Sequence, residues 1–159
     1  MTVNVGDRLP SATLVKVTPN GPEQVTTDDF FAGRTVALFA VPGAFTPTCS
    51  ARHLPGYVER AAELRSRGVD EIACVAVNDA FVMDAWAKST GAEGVTMLSD
   101  GNGHFAEALG LVSDNSKFGM GRRSQRYSML VRNGVVEQLN VEAPGEFSVS
   151  SAEHMLNSM

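Results

Sequence analysis

Cysteine is scarce in this 159-residue chain: there are two, Cys49 and Cys74, twenty-five positions apart. Two thiols at that spacing make no disulfide framework of the kind that staples small secreted domains. Without clustered cysteine and histidine they also lack the spacing of a zinc site, and a cysteine acting as nucleophile requires no metal or organic cofactor. In a reducing compartment such thiols have two uses, burial and catalysis. Basic runs are missing too. Eighteen acidic side chains outnumber thirteen basic ones, for a formal charge of −5, and nucleic acid and anionic membrane are poor partner candidates. No apolar stretch approaches the length of a membrane span. The segment Met1–Asp7 has no charged region ahead of an apolar core and is not rich in Arg and Ser. Neither a signal nor a transit peptide is expected, and the expected location is cytoplasmic. Repeats, low-complexity tracts and linkers are absent. At 43% apolar residues the chain is long enough for one well-buried domain and too short for two, so residues 1–159 are expected to form a single domain.

What is present centres on Pro42-Gly43-Ala44-Phe45-Thr46-Pro47-Thr48-Cys49-Ser50. It follows the apolar run Val36–Val41, a buried-strand pattern, and precedes a segment with helical apolar spacing at Leu54, Val58, Ala61, Ala62 and Leu64. Pro and Gly break the strand. Thr46 suits the N-cap and Pro47 the first helical position. Cys49 then falls in the first turn, among unpaired backbone N–H groups at the positive end of the macrodipole. A thiol placed there is favoured as thiolate, the nucleophilic form.

The rest of the chain alternates. Ser11–Val17 is expected as a short strand closed by the turn residues Pro19-Asn20-Gly21-Pro22, and Thr26-Thr27-Asp28-Asp29 as the start of a short helix ending at Gly33. The strand over Arg34–Val41 leads to a long helix over Thr48–Arg67, with Gly68 just past its end. Ile72–Val77 is a continuous apolar run, expected of a central strand covered on both faces. Asn78-Asp79 caps a helix from Ala80 to about Ser89 whose Phe81, Met83 or Val82, and Trp86 are expected to face the sheet. A short strand over Val95–Leu98, a helix over Gly103–Leu109, a hairpin turning at Asn133-Gly134, and a last helix starting at Ser150 or Ser151 with Glu153 near a capping-box position complete the series. Gly119–Ser124 is expected as a mobile loop. The pattern implies an α/β fold, a mixed central sheet with helices on both faces.

The string Ala40–Ser50, followed by His53-Leu54-Pro55-Gly56-Tyr57, resembles the peroxidatic motif of the peroxiredoxins, and the type II or peroxiredoxin 5-like subfamily in particular. The resemblance continues through Val77–Val82, Leu98-Ser99-Asp100 and Arg126–Val131, and so covers nearly the whole chain. It implies a thioredoxin-like fold and a thiol-dependent peroxidase acting on hydrogen peroxide and alkyl hydroperoxides. By the resemblance, Cys49 is the nucleophile that becomes a sulfenic acid, and Arg126 supplies fixed charge to thiolate and peroxide. Thr46 contacts the peroxide through its hydroxyl, Pro42 shields the site, and the backbone N–H groups of Thr48 and Cys49 bind the substrate. A homodimer is implied as well, formed through the face near Phe45 and Phe118.

Other residues invite plainer readings. Cys74 lies inside an all-apolar strand and is expected to be structural. His53 shares a helix face with Cys49, and packing and a direct effect on the thiolate both remain open. His104 and His154 are expected at the surface. Some type II members carry a further cysteine near the C-terminus that resolves the sulfenic acid. The corresponding segment here, Pro144–Ser150, has none, which implies a one-cysteine cycle completed by glutathione with glutaredoxin, or else by thioredoxin. Two other readings compete. Cys49 as a peroxide sensor or redox relay needs only one oxidation event. A disulfide oxidoreductase is disfavoured because Thr46 stands where a C-x-x-C motif needs its partner cysteine.

Overall fold

The computed structural model describes residues 2–159. Its strands are β1 (Thr13–Thr18), β2 (Gly21–Thr26), β3 (Thr35–Val41), β4 (Glu71–Ala76), β5 (Thr96–Ser99), β6 (Val112–Asp114), β7 (Arg122–Ser124), β8 (Tyr127–Arg132) and β9 (Val135–Val141). Its α-helices are α1 (Thr27–Phe31), α2 (Leu54–Glu59), α3 (Ala61–Ser66), α4 (Ala80–Thr90), α5 (His104–Leu109) and α6 (Ala152–Asn157). Seven strands form one mixed sheet in the order β2-β1-β5-β4-β3-β8-β9, and β6 pairs with β7 apart from it. β3, β4 and β5 are mutually parallel, while β8 and β1 join that centre antiparallel. The mixed sheet flanked by helices is the thioredoxin-like architecture.

β3 shows why the centre is so apolar. Every one of its residues is buried, because both faces of a parallel core strand are covered. Ala37, Phe39 and Val41 pack with Leu54, Tyr57, Trp86 and Met155 on one face. Val36, Leu38 and Ala40 pack with Phe30, Phe31 and Phe105 on the other. At the far edge, Asn133 (φ 48) and Gly134 (φ 77) adopt the two left-handed conformations that a tight hairpin turn requires.

The structure departs from the expectations in several places. The long helix over Thr48–Arg67 is three pieces: a π-helical turn Cys49–His53, then α2, then α3. Pro55 has no N–H to give to the carbonyl four residues back, and the turn before it widens, with Leu54 N–H donating to Cys49 O. Phe81 does not face the sheet. Asp79 caps α4 by accepting from Val82 N–H at 2.8 Å, which puts Ala80, Met83 and Trp86 on the buried stripe and leaves Phe81 74% exposed. The expected loop over Gly119–Ser124 ends in strand, because Arg122–Ser124 pairs with β6. Finally, Gly21–Thr26 forms the edge strand β2 where only a turn was expected. It is held by register with β1 and not by any apolar alternation of its own.

Candidate active site

The loop that leaves β3 is tied to the segment that follows β4: Ala44 N–H donates to Asn78 Oδ1 at 2.9 Å. A side chain on Gly43 would meet Met120 at 3.1 Å and Thr46 at 3.2 Å, so only glycine fits there without displacement. Helical bonding begins where expected, with Ser50 N–H donating to Thr46 O at 2.9 Å. The Thr46 hydroxyl, however, does not cap the helix. It donates to Gly43 O at 2.6 Å. A hydroxyl has one proton and two lone pairs, so with its proton committed it can meet a ligand in the loop only as an acceptor.

Cys49, at the start of the π-helical turn, is fully buried. Arg126, leading into β8, donates from Nη2 to Cys49 Sγ at 3.0 Å. Its Nη1 lies 2.9 Å from His53 Nδ1, and His53 Nε2 lies 3.0 Å from Ser150 O. A carbonyl only accepts and a guanidinium only donates, so the neutral imidazole carries its proton on Nε2. Burial, and then the Arg126 charge, bring the His53 pKa down to about 3, and the ring stays neutral across the neutral pH range. His53 is thus packed in the core and touches Arg126, with no hydrogen bond to the sulfur itself. Of the nearby arginines, Arg123 donates to Val77 O and Met120 O, Arg52 lies over the Phe147 ring at 4.7 Å, and Arg122 is exposed.

Three aromatic rings and a carboxylate surround this row, none of them identified as site residues from sequence. Phe39 stacks on Tyr57 with centroids 4.1 Å apart, and Tyr57 O–H donates to Ser150 O at 2.9 Å. The Phe147 ring lies 5.0 Å from the His53 ring and 6.0 Å from the Arg126 guanidinium carbon. Glu142 accepts from Ser148 N–H, Ser150 N–H and Ser150 O–H through one oxygen. Burial alone raises its pKa, but the Ser150 hydroxyl and the neighbouring backbone N–H groups outweigh that and hold the carboxyl below its ordinary range. The string His53–Tyr57 belongs to the resemblance, whereas Glu142 and Phe147 lie far along the chain from it. Only the fold shows that they meet.

Beside the row lies a cleft of about 650 Å³ lined by Pro42, Thr48, Phe118, Gln125, Arg126 and Glu142 among others. Pro42, Thr48 and Arg126 thus share one cleft, whose lining does not include Thr46 or Cys49; the Cys49 sulfur is reached through Arg126 Nη2 at 3.0 Å. A larger cleft of about 790 Å³, near Ser11, Phe81 and Asp100, holds none of the expected site residues. Cys74 is fully buried opposite Phe39 in the β3–β4 pairing, and burial pushes its thiol pKa well up. Both cysteines are free. His104 is exposed and His154 half-buried. Among the described residues no group of three His, Cys, Asp or Glu side chains converges as a metal site, and no helix is long and apolar enough to cross a membrane.

Comparison with known proteins gives the family. The Redoxin family model matches residues 4–156. Chloroplastic peroxiredoxin-2E-2 of Oryza sativa subsp. japonica is 53% identical over 164 residues, covering 99% of this chain and 73% of the rice protein. Peroxiredoxin-2C of Arabidopsis thaliana is 45% identical over 159 residues, covering 99% of this chain and 98% of its own. The crystal structure of reduced Prx3 from Vibrio vulnificus in complex with hydrogen peroxide superposes with a TM-score of 0.96 at 53% identity, covering 99% of both chains. Such relatives support a thiol-dependent peroxidase role, and the chain belongs to the redoxin family, within it to the peroxiredoxins of the type II, peroxiredoxin 5-like group.

Proposed function

We propose that the protein reduces hydrogen peroxide and small alkyl hydroperoxides through Cys49, in a single domain spanning residues 1–159. One observation carries the reading: the Arg126 guanidinium bridges Cys49 Sγ and His53 Nδ1. The Cys49 thiolate attacks the terminal peroxide oxygen, the O–O bond breaks, and the other oxygen takes a proton from solvent, replacing the one the thiol gave up on ionising, and leaves as water or alcohol. Sulfur loses two electrons and becomes sulfenic acid. Arg126 steadies the negative charge on sulfur and then on the departing oxygen. Thr46, its proton committed to Gly43 O, accepts from the peroxide O–H. Thr48 and Cys49 offer backbone N–H groups, and Pro42 closes the loop side of the approach.

Recycling follows from where the thiols are. Cys74 sits inside a core strand with its thiol held protonated by burial, and Pro144–Ser150 holds no cysteine. An external thiol therefore attacks the sulfenic acid, water leaves, and a second thiol reduces the mixed disulfide. Glutathione with glutaredoxin is the favoured pair and thioredoxin the second. Such a cycle needs a reducing compartment, and we place the protein in the cytoplasm. Cell fractionation that finds it in a plastid, the location in the rice relative's name, would overturn that placement. Phe45 and Phe118 are 53% and 75% exposed beside the site and are proposed to meet their counterparts in a homodimer. Sedimentation at micromolar concentration is expected to show a dimer, and a monomer would contradict it.

The test is peroxide consumption by wild type and Cys49→Ser, supplied with glutathione plus glutaredoxin or with thioredoxin plus its reductase. Rapid turnover with glutaredoxin, lost in Cys49→Ser, supports the full reading, whereas turnover with thioredoxin alone changes the reductant. One stoichiometric oxidation without turnover in either system would point to a sensor or relay instead.

A further inference from the structure

We propose that Glu142 is a positioning residue for this reaction, setting the Cys49–Arg126 pair through Ser150 and His53. The inference rests on the reading of Cys49 and Arg126 just given. It starts from the strand ladder: Glu142 N–H donates to Arg126 O at 3.0 Å, so the two residues stand opposite each other across the end of β8 and β9. From there the Glu142 side chain turns to the following loop. Its Oε2 accepts from Ser148 N–H at 2.7 Å, Ser150 N–H at 2.8 Å and Ser150 O–H at 2.6 Å. Three donors on one carboxylate oxygen hold that loop in one conformation.

The consequence is the direction of the Ser150 carbonyl. It points inward, where Tyr57 O–H and His53 Nε2–H both donate to it. That fixes the imidazole tautomer and leaves Nδ1 as an acceptor facing Arg126. With Nη1 engaged there, the rigid guanidinium fork turns Nη2 onto the sulfur. If the Ser150 carbonyl lost its direction, the ring would be free to carry its proton on Nδ1. A donor would then face a donor, and the guanidinium would leave its place beside Cys49.

A second observation sets Glu142 apart from an ordinary loop brace. Its other oxygen, Oε1, is buried in a residue only 6% exposed and has no hydrogen-bond partner among the described residues. A buried carboxylate oxygen without a partner carries a desolvation cost. Packing alone gives no reason to keep a carboxylate there, whereas the clamp on Oε2 does: an ionised oxygen accepts three hydrogen bonds more strongly than a neutral amide would.

The experiment compares wild type, Glu142→Gln, Glu142→Ala, His53→Phe and the double variant Glu142→Ala/His53→Phe. It reads kcat/KM for hydrogen peroxide and the 15N resonances of the His53 ring. Wild type is expected to show only the Nε2–H tautomer. Glu142→Ala is expected to show mixed tautomers and a loss of about 10- to 100-fold in kcat/KM. Glu142→Gln, which keeps an acceptor but a weaker one, is expected to lose less and to show a minor second tautomer. The alanine change should add little on the His53→Phe background, because the relay is already cut. Single-tautomer His53 with wild-type rate in both Glu142 variants would overturn the proposal, as would a full additive loss in the double variant. If the alanine variant fails to fold, the glutamine variant decides by the same two readouts. Cys49→Ser, assayed alongside, separates the two levels: full activity there would overturn the underlying site, independently of what Glu142 does.

Discussion

The indole N–H of Trp86 donates to Ser50 Oγ at 2.9 Å, joining α4 to the residue directly after Cys49. Trp86 is fully buried and is the chain's one tryptophan. Its emission should therefore report on the π-helical turn. One equivalent of hydrogen peroxide is expected to shift the fluorescence of wild type and leave that of Cys49→Ser unchanged. Equal shifts in both would mean that the signal does not come from oxidation of Cys49.

Trp86→Phe tests the same link energetically. It removes one hydrogen bond to a half-buried hydroxyl and leaves a small void, for an expected loss of about 1–3 kcal/mol. Urea denaturation measures it, and an unchanged midpoint would show that the contact contributes nothing.

Arg126 serves two acceptors with one planar group. Arg126→Ala is expected to lower kcat/KM for peroxide by about 10²- to 10³-fold. Arg126→Lys should recover little, since an ammonium cannot donate in fork geometry to Cys49 Sγ and His53 Nδ1 together. Steady-state kinetics at saturating reductant is the check, and wild-type rates in the lysine variant would show that charge alone suffices.

His53 also gives stability a pH dependence. Its pKa is about 3 in the folded chain against 6.5 unfolded. Between those values the unfolded chain binds more protons, and stability rises with pH through that window and levels off above it. Between about pH 7 and pH 5 the expected loss is on the order of 2 kcal/mol. Glu142, held below its usual value of 4.5, acts in the same direction, but only in more acid solution. Urea midpoints at the two pH values should differ in wild type and converge in His53→Phe. Parallel behaviour of the two proteins would assign the effect elsewhere.

Much of this was legible before the fold was. The runs Val36–Val41 and Ile72–Val77 could hardly be anything but central strands, and Asn133-Gly134 announced its hairpin. Cys49 and Arg126 came from a motif, and the fold brings them within 3.0 Å of each other across 77 residues. What stayed hidden depended on partners remote in sequence. β2 is a polar edge strand whose identity comes from β1, and the π-helical turn comes from a missing N–H at Pro55. The Ser150 carbonyl reaches His53 across 97 residues and Tyr57 across 93. No local pattern encodes such contacts, and for the same reason Glu142 and Phe147 gave no sign of standing at the site.

Cys74 is the natural rival to an external reductant. Cys74→Ala is expected to keep peroxide turnover with glutaredoxin within about twofold of wild type, with a modest loss of stability from a small core void. A collapse of turnover in that variant, with its fold intact by circular dichroism, would make Cys74 part of the cycle.

The most direct measurement is the intact mass of the protein after one equivalent of hydrogen peroxide without reductant, followed by peptide mapping. The account predicts a gain of one oxygen, located on Cys49 and trapped by a sulfenic-acid reagent, with Cys74 still a free thiol. A mass two hydrogens lighter, with Cys49 and Cys74 joined in one peptide pair, would contradict the one-cysteine cycle. An unmodified Cys49 would contradict the peroxidase itself.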